Sequence, residues 1–180
     1  RPFILEAAAK FFADHGYAAA SMRKIATAAG VQAGSMYYYF PSKEDLLVAV
    51  HEEGIKRISV AVRQSLEGKL TPWDRLEAAM ICHLETLLGG GDFARVVIMV
   101  PPSEDRFSYQ RLIELRDVYE GIFVDLVKAL KLRSDMAEGH FRLMILGAMN
   151  WSPTWYRNGG ATPEEIAVSF VRALKNDQPE

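Results

Sequence analysis

Residues 21–43 read SMRKIATAAGVQAGSMYYYFPSK, and their pattern predicts two short helices joined by a tight turn. Ser21 can cap the first helix, because its hydroxyl oxygen accepts a hydrogen bond from an N–H group of the first turn. Apolar residues then recur at helical spacing, and Gly30 ends this helix because glycine adopts the left-handed conformation at low cost. We expect the second helix to run from about Gln32 to Tyr39, just before a proline.

The second helix has two unlike faces. At 100° per residue, Ala33, Met36 and Phe40 share one side and can pack on the first helix. The other side and its edges carry a glycine, a small hydroxyl and three phenols, namely Gly34, Ser35, Tyr37, Tyr38 and Tyr39. A glycine costs a helix about 1 kcal/mol relative to alanine, so Gly34 indicates close approach of something large. Because a DNA major groove admits a helix, the pattern predicts a helix-turn-helix with Gln32 to Tyr39 as its recognition helix.

Residues 3–47 resemble the DNA-binding signature of the tetracycline-repressor (TetR) family. The matching positions are Ile25, Ala26, Ala29, Gly30, Val31, Gly34, Ser35, Met36, Tyr37, Tyr39, Phe40, Ser42, Lys43 and Leu46. Two positions depart from the family pattern: Gln32 replaces a common Ser or Thr, and Ala33 replaces a common Lys or Arg, so one cationic contact is missing. The DNA-binding residues that pattern and resemblance imply are Ser21, Arg23, Gln32, Ala33, Gly34, Ser35, Tyr37, Tyr38, Tyr39 and Lys43. The plainer alternative is a small helical subdomain whose tyrosines only stabilise its surface.

Composition sets the class of protein. The chain has 180 residues, is 49% hydrophobic and contains one cysteine, which excludes a disulfide framework and a cysteine-paired zinc site. We recognise no secretion signal and no long uncharged apolar run, so we expect a cytoplasmic protein. The net charge of −2 gives little support to nucleic-acid binding. Helix N-termini at Ser21, Gln32 and Ser42 offer backbone N–H groups to phosphates instead.

The remaining pattern predicts an all-α fold of about nine helices. We expect a three-helix DNA-binding head at residues 1–47 and a helical ligand-binding and dimerisation body at residues 48–180. Besides the two helices of the motif, the predicted helices span residues 3–15, 42–67, 72–88, 93–100, 107–132, 141–155 and 163–175.

Catalytic chemistry is not indicated. No two of the four histidines have the spacing of a metal-binding pair; the histidines are His15, His51, His83 and His140. We also find no nucleophile triad, phosphate-binding loop or paired carboxylates. The sequence therefore predicts neither an enzyme nor a metal site nor a bound cofactor.

The body is rich in methionine and aromatic residues. Each is more often ordinary core than ligand contact, but together with a few polar groups they suit an apolar pocket. The resemblance implies a small inducer bound between the body helices. The candidate contacts are His83, Met99, Phe107, Tyr119, Phe123, Asn150, Trp151 and Trp155. Residues 106–109 and 150–160 look like members that respond to acyl-CoA thioesters, with Arg106, Arg111 or Arg157 near the phosphates.

These observations predict a homodimeric, ligand-responsive transcriptional repressor. Residues 141–155 and 163–175 are apolar enough to pair with their copies as a four-helix interface, placing two recognition helices roughly 34–36 Å apart. An acyl-CoA or other apolar effector would shift the helix of residues 42–67 and release operator DNA. One alternative is an enzyme or small-molecule carrier without operator function. The other is a constitutive DNA-binding protein whose body only dimerises.

Overall fold

The computed structural model describes residues 2–99 and 106–176, except for the side chains of residues 99, 106–108 and 176. All regular structure in these residues is helical, which confirms the predicted all-α class. The described helices are α1 (Pro2–Ala19), α2 (Met22–Ala28), α3 (Ala33–Tyr39), α4 (Lys43–Ser65), α5 (Pro72–Leu88), α6 (Asp92–Met99), α7 (Arg106–Ala129), α8 (Glu138–Trp151) and α9 (Pro163–Asn176). A 3-10 helix, Ser152–Thr154, follows α8.

The chain forms two compact units. The first contains Arg1–Arg57 and Gly91–Asp117, and the second contains Ile58–Gly90 and Val118–Glu180. The first unit therefore holds the predicted head together with residues 48–57 and 91–117. The functional division at residues 47 and 48 stays a prediction.

The first unit is built around the helix-turn-helix. Ile25 of α2, Met36 of α3 and Leu46 of α4 are each fully buried in one apolar core. Ser21 caps α2 as predicted, accepting a hydrogen bond from the backbone N–H of Lys24 at 3.3 Å. Gly30 has a φ of 67°, the left-handed conformation that the predicted helix end requires. The local pattern of the sequence is therefore sufficient to define this motif.

The end of α1 differs from the prediction. Gly16 has a φ of 77° and a ψ of 161°, so the regular helix is interrupted where we expected it to end. The chain then resumes a helical turn through Ala19, which the sequence analysis assigned to a connection. This turn leads directly into Ser21 and thus sets the start of the motif.

The second unit is centred on α5. This helix begins as predicted, with Thr71 as its cap and Pro72 in its first turn, and it packs against α9 and α8. The prediction that α8 spans residues 141–155 is wrong: it begins at Glu138 and ends at Trp151. Pro153 has no N–H group to continue the helical hydrogen bonds, so the chain tightens into the 3-10 helix there.

Helical spacing predicts that Val118, Tyr119, Ile122 and Leu126 mark the inward face of α7. Tyr119, Ile122 and Leu126 are buried as expected. Val118 is 60% exposed, because a residue one position earlier lies 100° around the helix from Tyr119.

Candidate DNA-binding surface and effector site

The outer face of α3 has the exposure that a recognition helix needs. Met36 is fully buried, whereas Tyr38 is 85% exposed and Tyr37 and Tyr39 are about half exposed. Gly34 and Ser35 are exposed between them. A Cβ atom added at Gly34 would meet no atom within 4 Å, so the protein's own packing does not require glycine there. The face is therefore open to a large external partner.

The other predicted DNA-binding residues differ in solvent exposure and in whether their side chains already form hydrogen bonds within the chain. Arg23 and Gln32 are exposed, and Gln32 makes no side-chain cap to α3. Ser21 is exposed, but its hydroxyl already caps α2. Ala33 is half-buried, so the position where the family often has a cation contributes only a methyl group to the rim of the surface.

Lys43 has a structural role that the sequence analysis did not predict. Its ammonium donates to the carbonyl oxygens of Tyr17, at 3.1 Å, and Ala20, at 3.2 Å. It also lies 4.1 Å from the centre of the Tyr17 ring. The Tyr17 hydroxyl donates to Glu44, and this hydrogen bond lowers the pKa of that carboxyl group. Lys43 thus ties the end of α1 to the start of α4, and its contact with DNA stays a prediction.

A buried polar cluster lies in the second unit. His83 is 1% exposed, with Nδ1 at 2.7 Å from the Tyr119 hydroxyl and Nε2 at 3.0 Å from Oδ1 of Asn150. An amide oxygen only accepts, so His83 Nε2–H donates to Asn150 and Nδ1 accepts from Tyr119. Burial lowers the pKa of His83 from 6.5 to about 4, which keeps the ring neutral and fixes this direction of donation. Burial also raises the pKa of Tyr119, so its hydroxyl keeps its proton.

Aromatic contacts surround this cluster. The Phe123 ring is fully buried, 5.6 Å from the Tyr119 ring and 6.2 Å from the His83 ring. The structure therefore brings together four of the eight predicted effector contacts: His83, Tyr119, Phe123 and Asn150.

The other four predicted effector contacts do not join the buried cluster in the part of the chain that the structure describes. Trp151 is 68% exposed and Trp155 is 43% exposed, so neither is enclosed within the second unit. Met99 and Phe107 belong to α6 and α7 of the first unit, and their side chains lie outside the described residues. Among the predicted phosphate contacts, Arg111 pairs with Glu52 at 2.7 Å. That ion pair occupies the guanidinium with a carboxylate partner.

Two buried hydroxyl groups were not among the predicted site residues. Oγ of Ser59 and Oγ of Ser152 have no hydrogen-bond partner among the described residues, and Ser152 is fully buried. Nothing in the sequence distinguishes these serines, because their isolation depends on the packing of distant segments. A buried hydroxyl without a partner costs about 1–3 kcal/mol, so each is a candidate contact for a bound polar group.

Residues 2–99 and 106–176 contain neither a metal-ion site nor a membrane-spanning helix. No group of histidine, cysteine and carboxylate side chains there could hold a metal ion. None of the helices described is long and apolar enough to cross a membrane.

Family models cover both parts of the chain. Residues 4–50 match "Bacterial regulatory proteins, tetR family", and residues 69–176 match "Tetracyclin repressor-like, C-terminal domain". The chain belongs to the TetR family. The predicted function, a ligand-responsive DNA-binding transcriptional repressor and not an enzyme, is confirmed at the level of the family, whose members act as dimers.

Curated relatives match over most of their length. The chain is 30% identical over 184 residues to the HTH-type transcriptional repressor KstR2 of Mycobacterium tuberculosis, which covers 93% of this chain and 87% of that protein. It is 26% identical over 160 residues to the fatty acid metabolism regulator protein of Bacillus subtilis, covering 86% and 82%.

Solved structures share the fold. Superantigen PfiT matches with a TM-score of 0.79 and 32% identity over 94% of this chain and 93% of that one. AibR in complex with isovaleryl coenzyme A and operator DNA matches with a TM-score of 0.83 and 22% identity, over 94% and 95%. At that lower identity the likeness to AibR shows the fold alone.

Proposed function

We propose that this regulator is a repressor that an acyl-CoA thioester, or a closely related apolar effector, releases from operator DNA. One relative supports this effector class by its name, the fatty acid metabolism regulator protein of Bacillus subtilis. The fold is compatible with it, because AibR has the same fold and was solved in complex with isovaleryl coenzyme A and operator DNA. A regulator that acts on operator DNA works where the chromosome lies, so we also propose a cytoplasmic location.

The observation that carries the effector proposal is the buried cluster of His83, Tyr119 and Phe123. Ligand sites combine apolar walls with a few fixed polar groups, and this cluster has both, with a neutral imidazole whose donor direction is set. In our proposal the acyl portion packs against Tyr119 and Phe123. Asn150 lies at the exposed edge of the cluster and orients His83, because its side-chain oxygen accepts a hydrogen bond from the Nε2–H of His83.

Dimerisation is proposed to use α8 and α9. The α8 helix exposes Leu143 by 54%, Met144 by 50% and Trp151 by 68%, which is more apolar surface than a single short helix normally leaves in water. Phe170 is half-buried on α9. A two-fold pairing of these helices would bury both sets of side chains.

DNA recognition is proposed to use the outer face of α3. Gly34 and Ser35 would approach the base edges in the major groove. The sides of the groove and the phosphates would be contacted by the flanking side chains, namely Tyr37, Tyr38, Tyr39, Gln32 and Arg23. The openness of the face at Gly34 supports this assignment. Residues 1–47 would then act as the head and residues 48–180 as the body.

The test is an operator-release assay. DNA that the regulator binds, selected in vitro from a randomised library, is labelled, and fluorescence anisotropy follows release by short-, medium- and long-chain acyl-CoA thioesters. Free CoA and free fatty acids are the controls. We expect release by thioesters of one chain-length range and no release by either control. Tyr119→Phe should weaken the response while leaving operator affinity unchanged, because it removes one hydroxyl of the buried cluster and leaves the first unit intact.

Two results would contradict the proposal. Binding of thioesters without release of DNA would mean that the body binds them for another purpose. Neither stabilisation nor release by any thioester would favour a different effector or the constitutive DNA-binding protein.

A further inference from the structure

Asn150 connects the buried cluster to the outside of the second unit. Its Oδ1 accepts the hydrogen bond from His83, which is 1% exposed, while the residue itself is exposed on α8. Because the oxygen is held by His83, the amide nitrogen is fixed on the other branch of the carboxamide. No hydrogen bond in the described part of the chain uses its two N–H donors. The protein thus presents a pair of oriented donors at the edge of α8.

These donors border an apolar surface. Leu143, Gly147 and Asn150 follow one another along one edge of α8 at spacings of four and three residues. Met144 and Trp151 continue the surface, and a Cβ atom added at Gly147 would meet no atom within 4 Å. The glycine is therefore not required by packing within the chain and leaves room for close approach from outside.

We propose that Asn150 is the polar anchor of the dimer interface proposed above, in which a second copy of this chain covers this surface. The inference rests on the proposed pairing of α8 and α9. A two-fold interface presents the same patch twice, and the uncharged Leu143, Met144 and Trp151 can pack against their copies without burying a like charge. The Asn150 donors, covered in the dimer, find acceptors on the second copy.

Asn150 would select one register of the dimer interface, because other registers leave its N–H donors without acceptors. A covered N–H donor without an acceptor destabilises the interface, so pairings that leave Asn150 unmatched are disfavoured. A single polar residue in an apolar helix interface is a known way to fix its register. His83 and Tyr119 prevent the carboxamide from turning away, so they act as positioning residues for Asn150.

The test measures the dimer dissociation constant by sedimentation over a concentration series. Asn150→Asp keeps an oxygen acceptor for His83 but removes both donors, and Asn158→Asp makes the same change at an exposed loop residue. Ala148→Asp adds the same charge at an exposed position of α8 that has no side-chain donor, and so controls for the charge. Leu143→Glu tests the interface itself. We expect Asn150→Asp to raise the dissociation constant about 10- to 100-fold more than Ala148→Asp does, because each copy loses both donors. Asn158→Asp should leave it unchanged, and Asn150→Gln should give an intermediate value because its longer side chain displaces the donors.

The outcomes separate this inference from the proposed interface. If Leu143→Glu leaves the dimer intact, the α8–α9 interface is wrong. If Leu143→Glu dissociates the dimer but Asn150→Asp weakens it no more than Ala148→Asp, the interface stands and the anchor role is refuted. A changed effector affinity in Asn150→Asp with an unchanged dimer would likewise refute the anchor and assign the donors to the ligand. Thermal melting of each variant shows that its fold is retained.

Discussion

Acidification should destabilise this protein through His83 alone by about 3 kcal/mol. Burial lowers the pKa of His83 from 6.5 to about 4 in the folded state, whereas the unfolded chain keeps the ordinary value. Between these two values the unfolded state binds the extra proton, so stability falls as the pH decreases from about 6.5 to about 4. Each pKa unit corresponds to about 1.4 kcal/mol, and His83 is almost fully buried, so solvent screening is small.

Urea unfolding at a series of pH values and at fixed protein concentration would measure this effect. His83→Gln is the informative variant, because a glutamine amide can donate to Asn150 and accept from Tyr119 but does not titrate. We expect it to be less stable than the wild type at neutral pH and to lose less stability on acidification, so the two pH profiles converge. His140→Gln changes an exposed histidine on α8 and should keep the wild-type slope. Parallel profiles for the wild type and His83→Gln would refute the reasoning.

Three further substitutions test other parts of the structure. Gly34→Leu should abolish operator binding without lowering the melting temperature, because the added side chain enters open space; normal binding in a gel-shift assay would show that α3 is not the recognition helix. Lys43→Met should lower the free energy of unfolding by about 1–2 kcal/mol, because two carbonyl acceptors at the end of α1 lose their donor. Unchanged stability with weaker DNA binding would instead support the phosphate contact. Ser152→Ala should leave the stability of the effector-free protein unchanged or raise it by up to about 1 kcal/mol, since it removes a buried hydroxyl without a partner; clear destabilisation in urea would show that this hydroxyl is hydrogen-bonded.

The helix-turn-helix could be predicted because its signals are local. Ser21 caps a helix that begins one residue later, and Gly30 ends it through its own backbone conformation. The burial of Met36 and the exposure of Tyr38 follow from spacing along one short helix. The end of α8 was equally local, and Pro153 marked it, but the apolar run around the proline concealed the signal.

The polar cluster could not be predicted, because its members are far apart in sequence. Tyr119 lies 36 residues from His83, and Asn150 lies 67 residues from it. Each residue was a candidate effector contact because of its side-chain type. No pattern in the sequence indicates which of these side chains form hydrogen bonds with one another. For the same reason the sequence placed Lys43 among the DNA contacts, although carbonyl oxygens 26 and 23 residues earlier accept the hydrogen bonds of its ammonium.

The recognition surface has few cations, and this bears on how an effector would release DNA. Ala33 supplies no charge, and Lys43 is already engaged by two carbonyl oxygens, so the proposed head would neutralise fewer phosphates than the family pattern provides. A single head should then bind DNA weakly, and operator affinity should come from two heads binding at once. Under that condition an effector need not disrupt either head. It only has to favour a dimer in which the second head no longer reaches its half-site, and the weak head that remains bound dissociates quickly.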